Sequence, residues 1–99
     1  MYGKNYKYSK YQDEAVEVET TVTGFVERNK FYEDTNRTKN VFTCKSSKET
    51  DQLCILWDYT TAQIGDRVLL KGRFTPQAFI AWKVMVIKKA ERTDERQQT

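Results

Sequence analysis

Residues 15–27, AVEVETTVTGFVE, alternate Val16, Val18, Thr20 and Val22 against Glu17, Glu19, Thr21 and Thr23. This period of two is the signature of a half-buried β-strand. Valine and threonine carry two heavy atoms on Cβ, and that stiffness favours strand over helix. Gly24 interrupts the run, which predicts a bulge or a sharp bend. A strand with one apolar face needs other strands to cover it, and the rest of the chain supplies them. VFTCKS and QLCILWDY, separated by SKETD, read as a hairpin, and RVLLKGRF and AFIAWKVMVIKK read as two further strands joined through Thr75, Pro76 and Gln77. Residues 29–40, NKFYEDTNRTKN, read as a polar loop, and TTAQIGD as a linker too short for more than a single helical turn. No segment has a helical period and no internal repeat is visible. The expectation is an all-β domain of five strands within roughly seventy residues.

The hairpin register decides which side chains face out. Centred on Glu49, paired residue numbers sum to 98, so Phe42 lies opposite Leu56 and Cys44 opposite Cys54. One face then holds Phe42, Cys44, Cys54 and Leu56, and the other Val41, Thr43, Lys45, Leu53, Ile55, Trp57 and Tyr59. A slip of one residue would exchange the faces. In the last strand Ile80, Trp82, Val84 and Val86 alternate with Ala81, Lys83, Met85 and Ile87. Both tryptophans are bulky enough to fill a small barrel. Trp82 reads as core, and only the register puts Trp57 on the open face.

Ninety-nine residues support one domain with one modest core. Aromatics at 13% exceed what a disordered chain carries, although 31% of residues are charged, so a compact core in a charged shell is expected. No apolar run is long enough to cross a bilayer and no signal-peptide block opens the chain, which predicts a cytoplasmic protein without a membrane partner. The formal charge of +3 is unevenly spread. Residues 1–11 hold three lysines and no acid, and residues 12–99 balance at fourteen basic and fourteen acidic groups. Asp13, Glu14, Glu17 and Glu19 form an acidic entry, whereas residues 28–90 carry twelve basic groups against six acids. That basic body suits a polyanion. Histidine is absent and only Cys44 and Cys54 occur, which removes the usual four-ligand zinc sites and any histidine base. No paired-carboxylate, phosphate-loop or nucleophile motif is present. A binding protein with no metal, no cofactor and no catalytic residue is expected, and the cysteines read as two buried thiols rather than a disulfide.

The glycine-interrupted first strand and the segment IGDRVLLKGRF, residues 64–74, together resemble the OB-fold, in which a G-D-x-V-x-x-x-G stretch commonly turns into strand four. The likeness to the replication protein A and single-stranded DNA-binding domains of that family covers residues 14–89. It assigns the turn to Gly65 and Asp66, core positions to Val68 and Leu70, and barrel curvature to Gly72. It implies a five-stranded Greek-key barrel with little or no helix between strands three and four. The domain boundaries expected are a Tyr/Lys-rich flexible head over residues 1–13, the barrel over 14–90 and a flexible polar tail over 91–99. The acidic, hydrophobic-tipped tail of bacterial single-stranded DNA-binding proteins and the aromatic strand motifs of cold-shock domains are absent.

The resemblance places a nucleic-acid-binding surface across strands two and three and their flanking loops. Mapped here, it holds Thr43, Lys45, Ile55, Trp57 and Tyr59, with Arg28, Lys30, Phe31, Tyr32, Arg37 and Lys39 from the first loop and Lys71, Arg73 and Phe79 on the rim. Rings stack on unpaired bases and cations neutralise phosphates, with little sequence preference. The bland alternatives are that Tyr59 caps the core with its hydroxyl in water and that Lys71 and Arg73 are ordinary solvated strand residues. In the head, MYGKNYKYSKYQDE, the residues Tyr6, Lys7, Tyr8, Lys10 and Tyr11 could fold over a bound strand, pair with a second copy as a homo-oligomer, or form a solubilising leader. The expected function is protection of single-stranded DNA in replication, recombination or repair, in the nucleoid or at viral or plasmid replication sites. An OB-fold subunit holding a replication or repair protein and an RNA-binding factor stand as alternatives.

Overall fold

A computed structural model describes residues 15–91 of the chain. Its first strand, β1 (Val16–Tyr32), is 17 residues long and serves two partners. The first part pairs antiparallel with β4 (Arg67–Phe74), Val16 opposite Gly72 and Thr21 opposite Arg67. The second part pairs antiparallel with β2 (Arg37–Cys44), Val22 opposite Cys44 and Tyr32 opposite Arg37. β3 (Gln52–Leu56) lies between β2 and β5 (Phe79–Lys88), antiparallel to the first and parallel to the second, and β5 returns to β4. The order β1-β2-β3-β5-β4 closes on itself as a barrel, compatible with the OB-like fold that the sequence resembles. Closure gives every strand two neighbours, so no strand is unpaired along a whole side. Among the described residues there is no helix, between β3 and β4 or elsewhere, and so none long and apolar enough to cross a membrane. The head expected over residues 1–13, with Tyr6, Lys7, Tyr8, Lys10 and Tyr11, and the expected tail beyond Glu91 lie outside the described residues.

The barrel interior is filled by alternate residues of each strand: Val22 from β1, Phe42 from β2, Leu56 from β3, Val68 and Leu70 from β4, and Phe79 from β5. Burying each such side chain contributes about 1.5–3 kcal/mol. Cys44 and Cys54 lie among them as free, buried thiols. A hydrogen bond with the Cys54 thiol, and then burial, push the Cys44 thiol well above its ordinary range, so it stays protonated. Phe79, expected on the binding rim, is 1% exposed and belongs to this core. Its neighbour Phe74 meets it edge-on at 4.8 Å between ring centroids.

Bulges explain where the simple alternation fails. In β1 the pairing slips between Val22 and Gly24, so Thr23 is the extra residue beside the glycine, and slips again between Phe25 and Glu27. In β5 it slips where Lys71 faces Lys83 but Gly72 faces Ala81, leaving Trp82 without a partner. Phe79 and Ala81 point inward before this bulge and Val84 and Val86 after it. Trp82 is therefore 49% exposed and not barrel fill. Gly72 faces this bulge, where β5 comes so close that a Cβ would overlap the Ile80 carbonyl oxygen.

Two further expectations are corrected. In the β2–β3 hairpin paired residue numbers sum to 96, with Phe42 opposite Cys54 and Cys44 opposite Gln52. Lys45 has left the hairpin, and its N–H donates to Thr21 O at 3.0 Å in β1. The offset is two residues, so the inward and outward sets are unchanged. Residues 29–40 are not a loop. β1 and β2 continue as a two-stranded arm with Lys30 opposite Lys39, and only residues 33–36 turn, with Asn36 at φ 57°.

Candidate nucleic-acid interface

The arm and the end of β3 assemble one cluster from residues far apart in sequence. Adjacent strand residues point to opposite faces, so Lys30, Tyr32, Arg37 and Lys39 share one face of the arm while Phe31 takes the other. Trp57, directly after β3, comes up against that face. Its ring meets Tyr32 edge-on at 5.7 Å. The Arg37 guanidinium lies 5.2 Å from the Trp57 ring centroid, and the Lys39 ammonium lies 4.8 Å from Trp57 and 5.6 Å from Tyr32. Lys30 stands 5.2 Å from the Tyr32 ring. Cations over ring faces hold both groups in place without consuming their hydrogen-bond donors. Arg37 also donates to the Trp57 carbonyl oxygen at 3.3 Å, tying the arm to the β3 terminus.

Glu27, which the sequence did not single out, anchors this cluster. Tyr32 Oη donates to its Oε1 at 2.8 Å. That hydrogen bond raises the Tyr32 pKa above the ordinary phenol value, with smaller contributions from burial and from the Glu27 and Asp34 charges. Two asparagines of the arm's root, Asn29 and Asn40, bond to each other and to the β3–β4 connection. Asn40, fully buried, donates to Asn29 Oδ1 at 2.8 Å and to the Asp58 carbonyl oxygen at 2.7 Å, and accepts from the Asn29 N–H at 2.8 Å. Asn29 in turn donates to the Thr60 carbonyl oxygen at 3.0 Å and accepts from the Thr60 N–H at 2.9 Å. These bonds fix the arm's root to the β3–β4 connection. Asparagine is uncommon in strands, and its presence at 29 and 40 was the available signal.

The remaining expected site residues are dispersed. Arg28 covers the Phe25 ring at 4.6 Å, away from the cluster. Phe31, opposite Thr38, is 54% exposed, and Tyr59, with its N–H donating to Asp58 Oδ1, is 63% exposed. Thr43 and Ile55 lie on the outer face of β2–β3, paired with Leu53 and Val41. Lys45 is at the opposite end of β2 from Lys39. Lys71 and Arg73 are on β4, Lys71 between Glu17 and Lys83 and Arg73 opposite Ile80. Five of the expected residues, Lys30, Tyr32, Arg37, Lys39 and Trp57, therefore form one surface. No group of three or more metal-ligating side chains occurs among the described residues. Comparison with known proteins finds no matching family model, no matching curated protein and no matching solved structure.

Proposed function

We propose that this chain binds single-stranded nucleic acid, and single-stranded DNA in the first instance, as a non-enzymatic binder that protects exposed strands in replication, recombination or repair. The observation carrying the proposal is the cluster of Trp57 and Tyr32 with Lys30, Arg37 and Lys39. It sets two aromatic rings, on which bases could stack in place of the cations now over them, beside donors for phosphates. Stacking contributes about 1–3 kcal/mol per base and needs no base-edge code. The membership this suggests is in the nucleic-acid-binding OB-folds.

The test uses a Trp82→Phe chain, in which Trp57 is the remaining tryptophan. Single-stranded DNA, single-stranded RNA and duplex DNA are titrated at two salt concentrations, following Trp57 emission and probe anisotropy. Quenching by single strands that weakens with salt is expected, with little response to duplex. No anisotropy change with any oligonucleotide at low salt would remove the reading. A second reading, a protein-binding module, is favoured by the exposed Trp82, Met85 and Ile87 on β5. It predicts that a partner shields Trp82 from acrylamide while Trp57 stays accessible.

A further inference from the structure

At the end of the barrel away from the Asn29–Asn40 pair, between the β2–β3 and β4–β5 connections, a cavity of about 550 Å³ opens. That volume lies within the range of roughly 300–1,000 Å³ typical of small-ligand sites, and barrel mouths are a common place for them. Its floor is apolar, with Leu70, Cys54 and Phe79, and the partly exposed Phe74 stands at the mouth. Its rim carries Lys45 and Lys48 and no acid.

Both lips are shaped before any ligand arrives. Lys45 is pinned through its backbone, its N–H donating to Thr21 O and its carbonyl oxygen accepting from Thr20 Oγ1 at 2.7 Å. Ser46 Oγ donates to the Thr50 carbonyl oxygen and accepts the Lys48 N–H, folding the first connection over the mouth. Across from it, Thr75 Oγ1 donates to the Ala78 carbonyl oxygen and accepts the Ala78 and Gln77 N–H groups. These hydroxyls are thus engaged within the lips, whereas Lys45 and Lys48 have no ion pair among the described residues. The two ammonium groups are the charged chemistry the rim presents, beside Ser47 and Gln52. An occupant must combine an anionic group for the lysines with a flat apolar body for Phe74 and the floor. The lysines of residues 1–11 bring the same charge as the rim, which disfavours the chain's own head as that occupant.

We infer that this cavity binds a nucleoside monophosphate, its base against Phe74 and its phosphate between Lys45 and Lys48, whether free or as the phosphorylated end of a strand. Only the strand-end form rests on the proposed function. Lys39 and Lys45 are six residues apart along β2 and the residue leaving it, so about 20 Å separates the ring cluster from the cavity. A strand of a few nucleotides spans that distance, within the about 4–16 nucleotides that one OB-fold covers.

The test is an NMR titration of the full ¹⁵N-labelled chain with thymidine monophosphate and, separately, with thymidine. Saturable shifts of the amides of residues 45–48, 74, 75, 77 and 78 by the nucleotide, at least tenfold weaker for the nucleoside, are expected. They should be lost in Lys45→Gln/Lys48→Gln, whose exposed substitutions leave the core intact, and kept in Trp57→Ala. Absent shifts at these amides, or equal shifts for nucleotide and nucleoside, would overturn the assignment. A parallel binding series compares an oligonucleotide with and without a terminal phosphate. Tenfold tighter binding of the phosphorylated form supports strand-end recognition, and equal binding alongside retained nucleotide shifts supports the free nucleotide as ligand. Oligonucleotides that fail to bind while the nucleotide still shifts these amides would remove the proposed function and leave the cavity assignment standing.

Discussion

At the scale of single residues, the most consequential side chain is Asp66, which is fully buried. Its carboxylate accepts the Gln63 N–H at 3.0 Å and the Ala90 N–H at 2.8 Å, and Lys89 Nζ lies 3.3 Å away. Its backbone oxygen takes the Val22 N–H, while Gly65, at φ 94° with the Ala90 Cβ too close for a side chain, donates to Val22 O. Asp66→Ala leaves the part-buried N–H groups of Gln63 and Ala90 without their acceptor, each costing up to about 1–3 kcal/mol. A fall in the urea midpoint corresponding to about 2–5 kcal/mol is expected, with an unchanged slope. Tyr32 gives a second prediction. Its hydrogen bond to Glu27 needs the neutral phenol, so its folded pKa lies above its unfolded one. The stability this contributes is complete below the unfolded value and is lost as pH rises through the folded value. In a spectrophotometric titration Tyr32 should ionise above the ordinary tyrosine range near 10, and Glu27→Gln should bring it down. The turn at Gly65 and Asp66 was readable from the GD pair, but the carboxylate's partners were not, because Ala90 and Lys89 reach it only once the barrel has closed.

At the scale of elements, the arm formed by β1 and β2 behaves as an appendage held at its root. Asn40→Ala removes the amide that ties Asn29 and Asp58 together and leaves polar groups of both without their partners. Hydrogen exchange should show protection lost first over residues 29–32 and 37–40, with β4 and β5 retaining theirs. Uniform loss across all five strands would mean that the root supports the whole barrel rather than the arm. Gly72→Ala acts at the β4–β5 crossing, where the new Cβ would meet the Ile80 backbone. A loss of about 2 kcal/mol or more is expected, because backbone cannot rotate away as a side chain does. The period-two runs had located β1 to β5, and Gly24 and Gly72 had marked two of the places where the strand pairing slips. The arm read as a loop because charge and asparagine hide its strand character, and Trp82 read as core because a bulge changes the facing of every residue on one side of it.

At the scale of the whole molecule, the uneven charge leads to a salt prediction. A chain starting at Asp13 loses three lysines and no acid, taking its formal charge from +3 to 0. If the proposed binding holds, each phosphate contact contributes a slope of about 0.7 in log affinity against log salt for single strands. The shortened chain should bind less tightly at low salt with a shallower slope, and Lys39→Gln should remove about one contact's share. An identical slope in the shortened chain would take the head out of the site. What the sequence determined by itself was local: which segments alternate, where glycine must sit, that no helix has a period to form, and that basic and aromatic residues are plentiful between residues 28 and 59. These follow from side-chain stiffness and strand periodicity, which need no partner. Only the tertiary structure decided that Trp57 joins Tyr32 and Lys39, that Phe79 is core, and that Lys45 and Lys48 rim a cavity at the far end of the barrel. Each of those depends on register, bulges and closure, in which one inserted residue reverses a face and pairs side chains that lie dozens of positions apart.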